Sequence, residues 1–93
     1  MLVGVSEIEL FVPESGSLKE KRFILESLKK RIRQRFNVSI SEVGDTEKWQ
    51  RVSLGIAMVS NESRFIDKVL SQIVNFIEKD GRAEIISYSN HIY

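Results

Sequence analysis

The sequence predicts an α+β domain, a four-stranded antiparallel sheet backed on one face by two helices, from three observations. Apolar residues alternate at 8, 10 and 12 and at 52, 54, 56 and 58, the mark of a strand with one face buried. They recur at helical spacing in 17–36 and 62–80. The elements follow one another as βαββαβ within 93 residues, an order that points to the ferredoxin-like, split-βαβ arrangement. Right-handed crossovers then put the first and third strands at the centre and leave one sheet face open.

The first strand runs from Leu2 to Val12. Leu2, Gly4, Ser6, Ile8, Leu10 and Val12 share one face, with Ile8, Leu10 and Val12 as its buried set; Val3, Val5, Glu7, Glu9 and Phe11 share the other. The turn cluster Pro13-Glu14-Ser15-Gly16 stops the strand and delivers the chain to Ser17. Ser17 followed by Glu20 is a capping box, in which each side chain satisfies an otherwise orphaned backbone N–H. Beyond it Leu18, Leu25, Leu28, Ile32 and Phe36 form the apolar side of the first helix, with Ile24 at its margin and Lys21 projecting from its exposed end. Neither Gly nor Pro interrupts the run.

Asn37 opens the second strand, with Val38 and Ile40 on one face and Ser39, Ser41 and Val43 on the other. A polar turn, 44–48, joins it to the third strand, where Val52, Leu54, Ile56 and Met58 alternate with Arg51, Ser53, Gly55, Ala57 and Val59. Ser60-Asn61 supplies cap chemistry for the second helix, about 62–80. Its stripe is Ile66, Val69, Leu70, Ile73 and Ile77, widened by Phe65, Val74 and Phe76. Gly81 suits the left-handed residue that ends a helix. Ala83 to Tyr88 reads as a short last strand and Asn90 to Tyr93 as a tail.

The chain 1–93 is thus a single domain, large enough for a core without metal or disulfide staples. The absence of cysteine excludes disulfides, a thiolate nucleophile and Cys-ligated metal, and fits a reducing cytoplasm. The start has neither the basic region nor the cleavage site of a signal peptide, and no apolar run approaches the roughly 18–20 residues that cross a bilayer. A cytoplasmic protein without a membrane partner is expected.

Charge is the most informative feature. The segment from Ser17 to Phe36 holds eight of the fourteen Lys and Arg residues and two acids, a local charge of +6, whereas the rest of the chain sums to −5. On the helical wheel Arg22, Lys29 and Arg33 flank the apolar stripe on one side, with Lys19 and Lys30 further round; Arg31 and Arg35 lie towards the other flank. Phe23 stands beside Lys19 and Lys30, away from the core. Lys19, Lys21 and Arg22 crowd the positive end of the helix dipole at about 0.3–1 kcal/mol each, a broken local rule that suits an anionic partner. The competing account is a solvated face whose aliphatic stems cover the core.

Catalysis has no foothold. His91 is the only histidine and reads as an exposed tail side chain; HExxH, CxxC, GxSxG and Walker-type motifs are absent. Glu7 and Glu9 face one way without a third ligand and read as exposed residues of the open sheet. The Gly-rich phosphate loop of acylphosphatases, which share this fold, is missing between Pro13 and Leu18. No catalytic residue, metal or cofactor is therefore expected. RNA-recognition domains of this topology stack bases on sheet aromatics, and Ser53, Gly55 and Ala57 stand where those would be.

In order and spacing, Ser17-Leu18-Lys19-Glu20-Lys21-Arg22, Arg35-Phe36-Asn37-Val38, Glu42-Val43, Trp49-Gln50-Arg51 and Ser60-Asn61 resemble the YlxP-like family of small bacterial proteins, from Val3 to about Tyr88. The resemblance implies a ferredoxin-like domain whose function is poorly defined. It also implies genes lying beside those for translation initiation and ribosome maturation, and hence an RNA-binding or ribosome-associated role. It carries no catalytic residues; Lys19, Lys21, Arg22, Trp49, Gln50 and Arg51 fall in its recurring blocks.

The reading that follows is a small cytoplasmic RNA-binding or ribosome-associated accessory protein. Lys19, Arg22, Lys29, Lys30 and Arg33 neutralise phosphates, Phe23 stacks on a base, and Trp49 with Arg51 forms a second cluster at the hairpin base. For Trp49 the alternative is packing over the sheet edge. The rival function is a ligand-sensing or structural homodimer, paired through Val3, Val5, Phe11, Ala57 and Val59 on the open face. A charge placed at Val5 or Ala57 would break such a dimer.

Overall fold

A computed structural model describes residues 1–13, 16–44 and 50–93. Six elements succeed one another: β1 (Leu2–Phe11), α1 (Leu18–Arg35), β2 (Ser39–Val43), β3 (Arg51–Ser60), α2 (Ser63–Asp80) and β4 (Glu84–Ile92). The four strands form one antiparallel sheet in the order β2-β3-β1-β4, and the helices cover one of its faces. This is the ferredoxin-like βαββαβ fold.

The period-2 pattern places the core. Ile8, Leu10 and Val12 stand beside Val52, Leu54, Ile56 and Met58 on the covered face, and all are buried. Leu25, Leu28 and Ile32 of α1 and Ile66, Leu70, Ile73 and Ile77 of α2 close over them. The cap of α1 works as its residues suggest, whereas the N-cap of α2 is Glu62, without a side-chain cap hydrogen bond. Ser17 Oγ accepts the N–H of Glu20 at 3.1 Å, while the Glu20 carboxylate accepts the N–H of Gly16 at 2.9 Å, one residue before the cap. Ser60 Oγ accepts the N–H of Glu62 at 3.1 Å, and Gly81 ends α2 with φ +75°.

Two expectations for α1 are corrected together. The buried residues of α1 are Lys21, Leu25, Leu28, Lys29 and Ile32, an arc that includes the direction of Leu18. Leu18 itself, the first residue of the helix, is 55% exposed, and Lys21, placed by the wheel at the exposed end of the apolar side, is 2% exposed. The Lys21 stem fills core space while its Nζ donates to the carbonyl of Arg51 at 3.1 Å. Phe65 likewise leaves the core of α2 and is 50% exposed.

The last strand is longer than its composition suggests. Asn90 to Tyr93 is not a tail: β4 continues to Ile92, and Val3 and Tyr93 exchange both backbone hydrogen bonds at 2.8 Å. The long β1 offers unpaired N–H and C=O groups along its whole length, and satisfying them holds even a polar segment in the sheet. A bulge makes the register work. Leu10 pairs with Ile85 and Glu9 with Ser87, so Ile86 is the extra residue. Beyond it Ser87, Ser89 and His91 stand opposite Glu9, Glu7 and Val5.

Gly4 lies against Ile66 of α2. A Cβ built there would lie 2.3 Å from Cγ2 of the buried Ile66. Gly4→Ala is expected to destabilise the fold by about 1–3 kcal/mol, the range for overpacking a filled core. A urea titration with an unchanged slope and a lower midpoint would register it; an unchanged midpoint would show that α2 shifts freely.

Candidate nucleic-acid interface

α1 presents three surfaces, and its cations differ in character on each. Along the β2 flank, Arg22 Nη1 and Nη2 donate to the two oxygens of Glu42, both at 2.6 Å, and Nη2 also donates to Glu26 at 2.7 Å. Lys29 Nζ lies 2.8 Å from Glu42 Oε2 and 2.9 Å from Glu26 Oε1. Glu42 sits on the short edge strand β2, directly under this helix turn, with a side chain only 10% exposed. The bidentate Arg22 contact, opposed by burial and reinforced by Lys29, holds the Glu42 carboxyl at about 2. Burial disfavours the Lys29 ammonium, yet the hydrogen bonds it donates to Glu42 and Glu26 outweigh this and raise its pKa. Arg33 Nη2 donates to the carbonyl of Ile40 at 3.0 Å.

Of the expected phosphate ligands, Lys29 is thus buried between two carboxylates, and Arg22 is tied to the same pair. Lys21 is inside the core. These are corrections to exposure: a carboxylate on β2 takes up Arg22 and Lys29, and the Arg51 carbonyl takes up the Lys21 ammonium. A neighbouring strand's acid cannot be placed from the helical wheel alone.

The solvent apex is different. Lys19 and Lys30 are exposed without an ion-pair partner among the described residues, and Phe23 between them is 69% exposed. Arg33 is exposed at the edge of the same surface, its guanidinium only partly used by the Ile40 carbonyl.

On the α2 flank, Arg31 pairs with Asp80, whose carboxyl is held low chiefly by Arg82 donating at 2.8 and 3.0 Å. Arg82 also reaches Ser27 Oγ at 3.1 Å, which fastens the end of α2 to the middle of α1. Arg35 carries no such pair among the described residues. Its guanidinium carbon lies 5.8 Å from the Phe36 ring centroid and 5.6 Å from that of Phe76, and the two rings meet edge to face. From Arg35 a groove of about 410 Å³ opens along α2, with Phe36, Asn37, Phe65, Lys68 and Gln72 on its walls.

Lys68 and Gln72 were not singled out in the sequence, and Arg35 was placed only on the far flank of α1 and in a family block. The signal was present: Phe65, Lys68, Gln72, Phe76 and Lys79 recur at helical spacing beside the core stripe. With Phe65 and Phe76 counted as core, the polar members of that row have no direction.

The hairpin base and the open face hold the remaining candidate residues. Arg51 lies 3.3 Å from Glu9, so this cation too meets an internal carboxylate. Trp49 lies outside the described residues. Val3, Val5, Ala57 and Val59 gather at one end of the open face, where Val5 pairs with Ala57 and Val3 with Val59. Phe11 is at the other end, opposite Arg51 and Glu84. Glu7 and Glu9 stand between the two ends.

Comparison with known proteins places this geometry in context. The profile of the family described as "Protein of unknown function (DUF503)" matches residues 3–90. The chain is 43% identical over 77 residues to "Uncharacterized protein YlxP" of Bacillus subtilis (strain 168), covering 83% of this chain and 84% of that one. Among solved structures, the de novo designed protein Foldit4 is similar with a TM-score of 0.54 at 14% identity, over 100% of this chain and 97% of the other. A second de novo design, described as having a ferredoxin fold, gives 0.55 at 12% identity, over 99% and 85%. At these identities the structural likeness concerns the fold alone.

Proposed function

We propose that this chain, which belongs to the family described as "Protein of unknown function (DUF503)", is an RNA-binding accessory protein of the cytoplasm that associates with ribosomal or other structured RNA. One observation carries the reading. After the internal pairs are removed, exposed cations remain on the helix layer: Lys19, Lys30 and Arg33 on α1, Arg35 on its α2 flank and Lys68 of α2, with the acids Glu20, Asp67 and Glu78 exposed on the same helices. The carboxylates of the open face, Glu7, Glu9 and Glu84, are on the opposite side of the sheet. A polyanion is drawn to one side and repelled from the other.

Phosphate contacts of this kind give affinity without base sequence, so structured RNA is bound with little preference among sequences. Phe23, exposed between Lys19 and Lys30, adds a stacking surface for an unpaired base. The genomic neighbourhood implied by the family resemblance agrees with such a role.

A homodimer through the open face fits less well. Its apolar end is small, and burying the whole face would desolvate Glu7 and Glu9, of which only Glu9 has a cationic neighbour among the described residues.

The direct test is to recover the tagged protein from cells after crosslinking and sequence the bound RNA, beside a Lys19→Glu/Lys30→Glu variant. Enrichment of defined RNA segments that is lost in the variant is the expected result. Equal recovery from both would remove the helix from the function.

A further inference from the structure

We propose that the groove between the end of α1 and the outer row of α2 holds an unpaired nucleotide of a bound RNA strand. The inference rests on the RNA-binding reading above and names the part of the RNA that this second surface takes.

Three features of the groove converge on a nucleotide. The first is aromatic surface. Phe65 is half exposed on one wall, although its helix has a complete apolar stripe without it, and Phe36 is half-buried at the floor. A base has a π-face to lay against such a ring, whatever its sequence. The second is charge. Arg35 and Lys68 line the groove, Lys79 lines its continuation, and no acidic side chain lines either part among the described residues. Arg35 lies in cation–π range of Phe36 and Phe76, two rings set nearly at right angles, and keeps N–H donors for a phosphate. The third is hydrogen-bonding capacity. Asn37 and Gln72 contribute amides that both donate and accept, as the edge of a base requires.

Size agrees as well. The groove measures about 410 Å³ and continues into a second compartment of about 260 Å³ that shares Arg35, Phe36 and Gln72. Small-ligand sites occupy roughly 300–1,000 Å³. A base-paired nucleotide cannot enter, because its faces are stacked and its edge is used. The groove therefore selects loops, bulges or single strands, whereas the apex cations Lys19 and Lys30 accept phosphates of any geometry.

The test uses the full chain and fluorescence anisotropy with a labelled single-stranded oligoribonucleotide, a matched RNA duplex, and adenosine monophosphate as competitor. The single strand is expected to bind more tightly than the duplex, and the monophosphate to compete only weakly because it makes one phosphate contact. Phe65→Ala should weaken single-strand binding by between about 5- and 150-fold, the range for losing one base–aromatic stack, and leave the salt slope unchanged. Arg35→Gln should lower that slope by about 0.7, and duplex binding should change little with Phe65→Ala. Both side chains are exposed enough for the fold to survive, which matching thermal melts would verify.

Single-strand binding unaffected by Phe65→Ala, with duplex bound equally well, would overturn the groove while leaving RNA binding by the helix intact. Competition by the monophosphate as strong as by the oligomer would also overturn it, in favour of a free-nucleotide site. Absence of all RNA binding would instead defeat the broader reading.

Discussion

Glu42→Ala is expected to destabilise the protein by about 3 kcal/mol at neutral pH, the low end of the cost of breaking a buried ion pair. The carboxylate accepts both guanidinium nitrogens of Arg22 and the ammonium of Lys29, so its loss strands a buried Lys29 with only the exposed Glu26 beside it. The same group makes stability depend on pH. Its folded pKa, about 2, lies below its ordinary value of 4.5, so its contribution is complete above about pH 4.5. It is lost as pH falls from there towards 2. In Glu42→Ala this part of the acid slope should disappear. Urea titrations across that window would measure both effects. A double change, Lys29→Met with Glu42→Leu, should recover most of the stability, because an apolar pair of similar volume replaces two desolvated charges. If Glu42→Ala unfolds at the same urea concentration as the parent at pH 7, the network is decorative.

The second large effect concerns binding. Reversing Lys19, Lys30 and Arg33 to Glu should lower RNA affinity by more than about 100-fold at low salt, since three phosphate contacts become repulsions. Lys29→Ala, by contrast, should leave the salt slope of binding unchanged and lower stability, because its ammonium already faces two carboxylates. The contrast between neighbours on one helix separates a phosphate surface from a merely basic segment. It is read by anisotropy for the first effect and by urea titration for the second.

Much of the fold was legible because it rests on periodicity. The alternation from Val52 to Met58 and the 66-69-70-73-77 stripe each admit one burial pattern, and the structure buries those residues. What escaped was information held by partners distant in sequence. Lys21 looks like a surface cation until the carbonyl of Arg51 lies 3.1 Å from its Nζ. The strand through Asn90 and His91 has too few apolar residues to announce itself, and it forms because β1 presents a free edge. In the candidate site, the local charge of α1 was plain, but its division among pairs was not. Glu42 and Asp80 are 20 and 49 residues from Arg22 and Arg31, the guanidinium groups they neutralise.

RNA binding requires cations that stay exposed once the internal pairs have formed. The most direct measurement is the affinity of the unmodified protein for a structured RNA as salt is raised from about 50 to about 200 mM. The prediction is a linear fall of log affinity with log salt with a slope of about −3 to −5, for roughly four to six phosphates contacted. Affinity that does not change across this range, or no binding at its lower end, would contradict it.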